Sequence, residues 1–170
     1  MSNMTPIETE RKFLIRMPDI SLLRSLQGVR VKDILQTYLA SESGKNSRLR
    51  RVCEDGRVSY IKTAKQRISV LSAYEDECEI SEEQYERELE NADKTKSDIV
   101  KTRYCIPYAD HIIEIDIYPF WSDRAILEVE LESENESFSL PDYVSVVKEV
   151  SDDKRYKNTK LAESVPFDEI

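Results

Sequence analysis

The first predicted strand, Ile7 to Ile15, carries charge at every second residue, and this pattern restricts the fold more than any other feature of the chain. Side chains alternate between the two faces of a strand, so Glu8, Glu10 and Lys12 share one face. The residues of the opposite face are mostly apolar: Ile7, Thr9, Arg11, Phe13 and Ile15. One face can therefore pack on a core, while the other requires water, charged partners or a ligand.

The same alternation returns along the chain, each time with charges of one sign. The basic positions are Arg48 with Arg50 and Lys101 with Arg103. The acidic positions are Glu75 with Glu77 and Glu79, Glu114 with Asp116, and Glu128 with Glu130. Solvent-facing strand surfaces usually mix both signs with uncharged polar residues. Repeated pairs of a single sign therefore favour a closed barrel with a charged lumen.

The order of predicted elements agrees with such a barrel. Further strands are predicted over 33–40, 47–54, 57–65, 75–80, 99–106, 111–118 and 125–133, with a polar turn over 41–47. Asp55 and Gly56 form a two-residue hairpin signal. Helices are predicted over 19–28, 81–92 and 151–163, the second beginning with a capping box from Ser81 to Gln84. Consecutive strands with short connections form an antiparallel meander that can close, which predicts an α+β fold.

The length of 170 residues predicts one domain over 1–170. A net charge of -9 argues against nucleic acid and anionic membranes as partners, because both require an excess of basic residues. No apolar run approaches the length of a membrane span, and the N-terminal residues lack a signal-peptide pattern.

The cysteines and the single histidine restrict the chemistry of the chain. Cys53, Cys78 and Cys105 are odd in number and widely spaced, so they predict free thiols in a reducing, cytoplasmic setting. His111 alone cannot form a site with several histidine ligands, and we interpret it as an ordinary strand residue.

The charges of the predicted lumen indicate a ligand. Its cations are Lys12, Arg48, Arg50, Lys65, Lys101 and Arg103, and its acids are Glu8, Glu10, Glu75, Glu77, Glu114, Asp116, Glu128 and Glu130. Clustered arginine and lysine side chains suit phosphates. Carboxylates would repel such a ligand unless they hold a hard divalent cation such as Mg²⁺ or Mn²⁺. The two signs together predict metal-dependent chemistry on a polyphosphate.

These residues give the chain a resemblance to CYTH-domain proteins of the triphosphate tunnel metalloenzyme superfamily. The stretch from Glu8 to Lys12 matches their ExExK signature. The resemblance continues in order through QTYL (36–39), RLR (48–50), YIKTAK (60–65), EDECEI (75–80), KTRY (101–104), EIDIY (114–118), LEVEL (127–131) and EVSDDKRYKNTKLA (149–162). It covers nearly the whole chain.

The resemblance implies a closed eight-stranded antiparallel β-barrel, or tunnel, with flanking helices and a C-terminal helix near one mouth. It implies that Glu8, Glu10, Glu128 and Glu130 bind the metal, with Glu114 and Asp116 supporting it or holding a second ion. It implies that Lys12, Arg48, Arg50, Lys101 and Arg103 bind the phosphates. Lys65 and Tyr38 resemble a dyad that positions or activates water.

Several details stay open at this level. Lys62 and Lys65 cannot both face the lumen without a bulge, because they are three positions apart and strand side chains alternate between faces. Ala73 stands where relatives often have an arginine, and Arg67 is a candidate replacement. Lys154 or Arg155 of the C-terminal helix is a candidate to reach the phosphates.

The predicted function is hydrolysis of a triphosphate, with inorganic tripolyphosphate as the first candidate because the chain has no evident extension that would bind an organic group. Water would attack the terminal phosphorus. A class IV adenylyl cyclase, a thiamine triphosphatase or a nucleoside triphosphatase would use the same lumen. A noncatalytic sensor of polyphosphate or nucleotide is the alternative of a different class. Both a monomer and a homodimer fit the sequence.

Overall fold

The computed structural model describes residues 6–40 and 45–170, so part of the turn predicted over 41–47 lies outside the described residues. The strands are β1 (Ile7–Arg16), β2 (Arg30–Tyr38), β3 (Asn46–Glu54), β4 (Arg57–Arg67), β5 (Ser72–Ile80), β6 (Ile99–Tyr108), β7 (His111–Ile117), β8 (Arg124–Leu131) and β9 (Val146–Glu149). The helices are α1 (Ile20–Ser25), α2 (Glu82–Glu88) and α3 (Asn158–Leu161).

The first eight strands form a closed antiparallel barrel, which confirms the predicted fold. They follow the order β5-β4-β3-β2-β6-β7-β8-β1, and β1 also pairs with β5. This closing seam has three register pairs, which join Ile7 to Tyr74, Glu8 to Ala73 and Thr9 to Ser72. Beyond the seam, the same edge of β1 pairs with the short strand β9 through Phe13, Leu14 and Ile15.

The hairpin between β3 and β4 turns at Asp55 and Gly56, as predicted. Both residues have positive φ angles, 49° and 76°, which a two-residue turn of this kind requires. The strand β4 is longer than predicted and includes Gln66 and Arg67, and β5 begins at Ser72.

The main hydrophobic core packs on the outer face of the barrel. Phe13 and Ile15 of β1 lie there, and Leu23 of α1 packs with them. The other buried members are Tyr104, Ile106, Ile113, Ile115, Ala125, Leu127, Val129 and Leu131. The apolar face predicted for β1 is therefore the core face, and the charged face of the same strand points into the barrel.

A second apolar cluster, which we call the end cluster, occupies one end of the barrel. It contains Leu14, Tyr38, Ile99, Tyr118, Trp121, Ile126, Val150, Tyr156, Leu161 and Ala162. Leu14 follows Lys12 on the lumen face of β1, so the lumen changes from charged to apolar along a single strand. The C-terminal segment packs against this end.

The continuous helix predicted over 151–163 is wrong. A single 3₁₀ turn, Lys154–Tyr156, is followed by Lys157 in an extended conformation and then by the short helix α3. Tyr156 and Leu161 are both buried in the end cluster. Five residues apart, they would lie on different faces of one α-helix, so the break at Lys157 allows both to be buried.

The other helices also end earlier than predicted. Helix α1 ends at Ser25, and α2 ends at Glu88 and passes into a 3₁₀ turn, Leu89–Asn91. Within the described residues, no helix combines the length and the apolar character that crossing a membrane requires.

Candidate active site in the barrel lumen

The barrel encloses a cavity of about 780 Å³, and most of the predicted site residues line it. These are Glu8, Glu10, Lys12, Tyr38, Arg48, Arg50, Lys65, Arg103, Glu114, Glu128 and Glu130. Lys101 and Asp116 do not line the cavity and are almost completely buried behind Arg103. The strand alternation thus brings together side chains from seven strands that are distant in sequence.

Register settles which lysine of β4 faces the cavity. Lys65 lies opposite Glu75 in β5, and its Nζ is 3.4 Å from the Glu75 carboxylate and also contacts Glu8. Lys62 points outward, where its Nζ lies 2.5 Å from Glu88 of α2. Lys65 is therefore the inward lysine.

Asp116 organises the cations behind the cavity wall. Its carboxylate accepts hydrogen bonds from Lys101 Nζ at 2.7 Å and from Arg103 Nε and Nη2, each at 2.7 Å. Burial alone would raise the pKa of Asp116, but the charges of Arg103 and Lys101 lower it. Burial and the charge of Arg103 lower the pKa of Lys101 to about 8. Asp116 thus binds Arg103 through two hydrogen bonds at the wall of the cavity.

Glu128 joins this group to β1. It lies 3.0 Å from Lys12 Nζ and 3.2 Å from Arg103 Nη2, and Arg103 also contacts Glu114. Burial opposes ionisation of Glu128, but the charges of Lys12 and Arg103 lower its pKa well below the usual value. The charge of Glu128 is therefore compensated by Lys12 and Arg103.

Three other lumen carboxylates, Glu8, Glu10 and Glu130, have raised pKa values. Burial raises the pKa of Glu8, and the neighbouring Glu75 raises it further. The pKa of Glu10 is raised by burial and by Glu128, and that of Glu130 by burial and by Glu8. Oxygen ligands that repel one another suit a hard divalent cation.

A metal would nevertheless require some rearrangement of these side chains. In the part of the chain that the structure describes, no group of three or more histidine, cysteine, aspartate or glutamate side chains is arranged to hold an ion. Lys65 supplies the positive charge that Glu8 and Glu75 contact. The donor set fits Mg²⁺ or Mn²⁺ chemically, in competition with Lys65.

The opposite wall of the lumen is basic. Arg48 pairs across the sheet with Tyr38, and Arg50 Nη2 donates to Glu77 at 2.6 Å. Burial and the charge of Arg48 lower the pKa of Arg50 to about 10. The Nε atoms of Arg48 and Arg50 are buried and have no hydrogen-bond partner among the described residues. These donors are suited to the oxygens of an anionic ligand.

Tyr38 is buried at the inner edge of this wall. Its hydroxyl accepts a hydrogen bond from Gln36 Nε2 at 2.7 Å. Burial raises its pKa above the usual value, although the nearby charges of Arg48 and Lys12 oppose that shift. Tyr38 is therefore a neutral phenol at neutral pH.

Several residues that line the cavity were not in the predicted site: Pro6, Ile7, Lys32, Asn46, Arg67, Asp76, Lys157, Asn158 and Thr159. Arg67 was named only as a candidate replacement at position 73, and it indeed pairs across the sheet with Ala73. Neither Lys154 nor Arg155 lines the cavity, and Arg155 binds Asp153 and Asp168 instead. Lys157 is the C-terminal cation that the structure brings to the lumen.

Known structures resemble this chain, although no protein-family profile and no curated protein matches the sequence. The crystal structure of the hypothetical protein NE1496 is 31% identical, with a TM-score of 0.58 over 94% of this chain and 99% of that chain. A structure of the inorganic triphosphatase NE1496 is 30% identical, with a TM-score of 0.57 over 94% and 96%. PH1819 from Pyrococcus horikoshii OT3, 17% identical with a TM-score of 0.59 over 75% and 80%, shares the fold.

Proposed function

Because the chain belongs to the CYTH-domain family of triphosphate tunnel metalloenzymes, we propose that it is a metal-dependent hydrolase of inorganic tripolyphosphate. The similarity to NE1496, described as an inorganic triphosphatase, supports triphosphatase activity. The observation that carries the proposal is that Arg48 and Arg50, whose buried Nε donors have no partner among the described residues, line the same cavity as the carboxylates.

The basic residues of the lumen hold the phosphates. Lys12, Arg48, Arg50 and Arg103 line the cavity and supply charge-assisted hydrogen bonds to phosphate oxygens. Lys101 does not line the cavity and helps to position Arg103 through the Asp116 carboxylate, to which both side chains donate hydrogen bonds. Phosphate oxygens replace carboxylate oxygens as partners of Lys12, Arg50 and Arg103, so these three cations are already positioned before the substrate binds.

Glu8, Glu10, Glu128 and Glu130 are the residues that would hold Mg²⁺ or Mn²⁺, with Glu114 beside them. The bound ion would neutralise charge on the phosphate oxygens. Binding of the ion would also relieve the repulsion that raises the pKa of Glu8, Glu10 and Glu130.

Lys65 and Tyr38 orient the attacking water. Burial would lower the pKa of Lys65, but the charges of Glu10 and Glu8 raise it, so the side chain is an ammonium group. It therefore acts as a hydrogen-bond donor and a positive charge, and Tyr38 acts as a neutral phenol. The water oxygen forms a bond to the terminal phosphorus and the bridging P–O bond breaks. The protons of the water pass to phosphate oxygens, giving orthophosphate and pyrophosphate.

The three cysteines, Cys53, Cys78 and Cys105, are free thiols in the structure. Free thiols persist in reducing compartments, and this supports our proposal that the enzyme works in the cytoplasm.

The test of the function is phosphate release from tripolyphosphate, ATP and thiamine triphosphate, with and without Mg²⁺ or Mn²⁺, together with an assay for cyclic AMP. We expect metal-dependent release that is fastest with tripolyphosphate. Lys65→Ala should abolish most of it, and Lys62→Ala, which alters an outward lysine on the same strand, should not. Tight binding without turnover of any substrate would contradict the proposal and indicate a sensor.

A further inference from the structure

A carboxylate outside the lumen, that of Glu134, binds the turn between β4 and β5. Glu134 lies in the loop over 132–145, which joins β8 to β9 and packs on the outer core through Phe138 and Leu140. Its Oε1 atom accepts hydrogen bonds from Ser72 Oγ at 2.8 Å and from Ser69 Oγ. These two bonds lower the pKa of Glu134, so the side chain is ionised at neutral pH. The loop is therefore fixed to the start of β5 by one charged acceptor.

Ser72 also contacts β1, at the seam that closes the barrel. Thr9 Oγ1 lies 2.8 Å from Ser72 Oγ, and the two residues are register partners. Because the Ser72 hydroxyl donates its proton to Glu134, Thr9 is the donor in this second bond. Thr9 is 5% exposed and Ser72 is 7% exposed, so little water competes for the bond. Side chains of β1, β5 and the loop thus form one hydrogen-bonded chain across the seam.

Glu8 depends on this seam for its position. The pairing of β1 with β8 begins at Thr9, so Glu8 has a cross-strand partner only in β5, where it pairs with Ala73. Burial and the nearby Glu75 raise the pKa of Glu8, so the two acids repel each other when both are ionised. A seam of three register pairs is therefore loaded with a repulsion on its lumen face, next to the hydrogen-bonded chain on its outer face.

We propose that Glu134 is a positioning residue for Glu8: through Ser72 and Thr9 it holds the seam closed and keeps the Glu8 carboxylate at the metal site. The inference rests on the proposed function in one respect, because it takes Glu8 to be a metal ligand. The apparent affinity for the metal is reduced by the fraction of molecules whose seam is open. Removing the Glu134 carboxylate, which does not line the cavity, should therefore weaken metal binding inside it.

The first measurement is hydrogen exchange of the metal-free protein. At the seam, the Glu10 amide donates to the Leu71 carbonyl oxygen and the Glu75 amide to the Pro6 carbonyl oxygen, each at 3.0 Å. Glu134→Ala should speed exchange at both amides by about tenfold or more, because two hydrogen bonds to a charged acceptor are lost. Amides between β3 and β4 should exchange at the wild-type rate.

The second measurement is Mn²⁺ binding by calorimetry, without substrate. Glu134→Ala should weaken it by about threefold or more, since the closed fraction falls. In the phosphate-release assay, the same variant should need a correspondingly higher Mn²⁺ concentration for half-maximal rate. A defect that only reduced the amount of folded protein would lower the rate at every Mn²⁺ concentration and would not move this midpoint.

Two further variants separate the position of the acceptor from its charge. Glu134→Gln keeps an oxygen that can accept from Ser69 and Ser72, and it should recover most of both effects. If Glu134 acted only through its negative charge, Glu134→Gln would behave like Glu134→Ala. The matched control is Glu132→Ala, which removes an exposed carboxylate from the same loop and should match the wild type in both measurements.

Three outcomes would overturn the inference. Wild-type exchange at the seam in Glu134→Ala would mean that Glu134 does not hold it closed, and equally faster exchange in β3 and β4 would mean a general loss of stability. Faster seam exchange with wild-type Mn²⁺ affinity would mean that the seam does not position Glu8. Failure of the proposed function looks different. A wild-type protein that binds Mn²⁺ without releasing phosphate, and still shows both effects of Glu134→Ala, would retain the positioning role and lose the hydrolase assignment.

Discussion

The two faces of the same strands contribute to different properties of this protein. On the outer face, Phe13, Ile115 and Leu127 are buried among other apolar side chains. On the lumen face, Lys12 and Glu128 form an ion pair beside the cavity. Burying an apolar side chain contributes about 1.5–3 kcal/mol, whereas a buried ion pair contributes little once its desolvation is counted. The outer face therefore carries most of the folding free energy, and the lumen face carries the chemistry.

The largest exception to this division is expected at Asp116, where a lumen-face residue should contribute strongly to the folding free energy. Asp116→Asn leaves the buried Lys101 and Arg103 without their shared carboxylate. We expect the free energy of unfolding at pH 7 to fall by about 3–5 kcal/mol, because uncompensated buried charge is costly. Urea denaturation measures it, with the exposed Asp142→Asn as a control. A loss below about 1 kcal/mol would mean that the two cations find other partners.

At Glu10 we expect the division between the two faces to hold, with an effect on catalysis and no loss of stability. We expect Glu10→Gln to lower kcat about a hundred- to thousandfold, the range found when one stabilising group is removed from an active site. The free energy of unfolding should stay the same or rise, because burial and the charge of Glu128 already disfavour the ionised Glu10 side chain. Steady-state kinetics and denaturation measure both, with the exposed Glu86→Gln of α2 as a control. Wild-type turnover would exclude Glu10 from metal binding.

Ile115 tests the outer face. Ile115→Val removes one methylene from a fully buried position in the core. It should lower the free energy of unfolding by about 1 kcal/mol and leave kcat and KM unchanged at a temperature well below the Tm. Ile112→Val, at an exposed position on the same strand, should change neither. A drop in kcat for the Ile115 variant would show that the two faces are coupled.

The smallest expected effect is a pH dependence of stability. The pKa values of Glu8, Glu10, Glu114 and Glu130 are raised in the fold, by burial first. The folded state therefore binds more protons than the unfolded state between the ordinary value of 4.5 and the raised pKa values. As pH falls from 7 towards 5, the free energy of unfolding of the metal-free protein should rise.

The opposite contribution acts at lower pH. The pKa values of Asp116 and Glu128 are lowered by their cations, so their stabilisation is present above their ordinary pKa and is lost as pH falls through the lowered values. Denaturation at a series of pH values measures both effects. Glu10→Gln and saturating Mg²⁺ should each reduce the rise between pH 7 and 5, and an unchanged rise in both would separate the acidic cluster from metal binding.

The sequence predicted the barrel and the direction of most lumen side chains, because strand alternation has a period of two and hardly depends on distant contacts. It predicted Glu8, Glu10 and Lys12 on one face in this way. It left Lys62 and Lys65 undecided, because only the cross-strand register assigns Lys65 to Glu75 and Lys62 to Glu88.

The sequence did not predict how far along the barrel axis each lumen-face residue lies from the cavity. Lys101 and Asp116 have the correct face, but they lie behind the cavity wall, where Tyr118 and the end cluster begin. Lys157 was missed because residues 151–163 read as one helix. Burial of both Tyr156 and Leu161 breaks that helix, and this tertiary effect leaves no local signal in the sequence.

The seam that closes the barrel joins β1 to β5 through three register pairs, compared with nine between β3 and β4. Short pairings open with a lower free energy than long ones, so amide hydrogens at the seam should exchange with solvent earlier than those of β3 and β4. Glu8 lies in the middle of the seam, and its partner strand carries Glu75. Opening the seam separates these carboxylates while the remaining strand pairs stay intact. Heat should therefore inactivate the enzyme before it unfolds the chain.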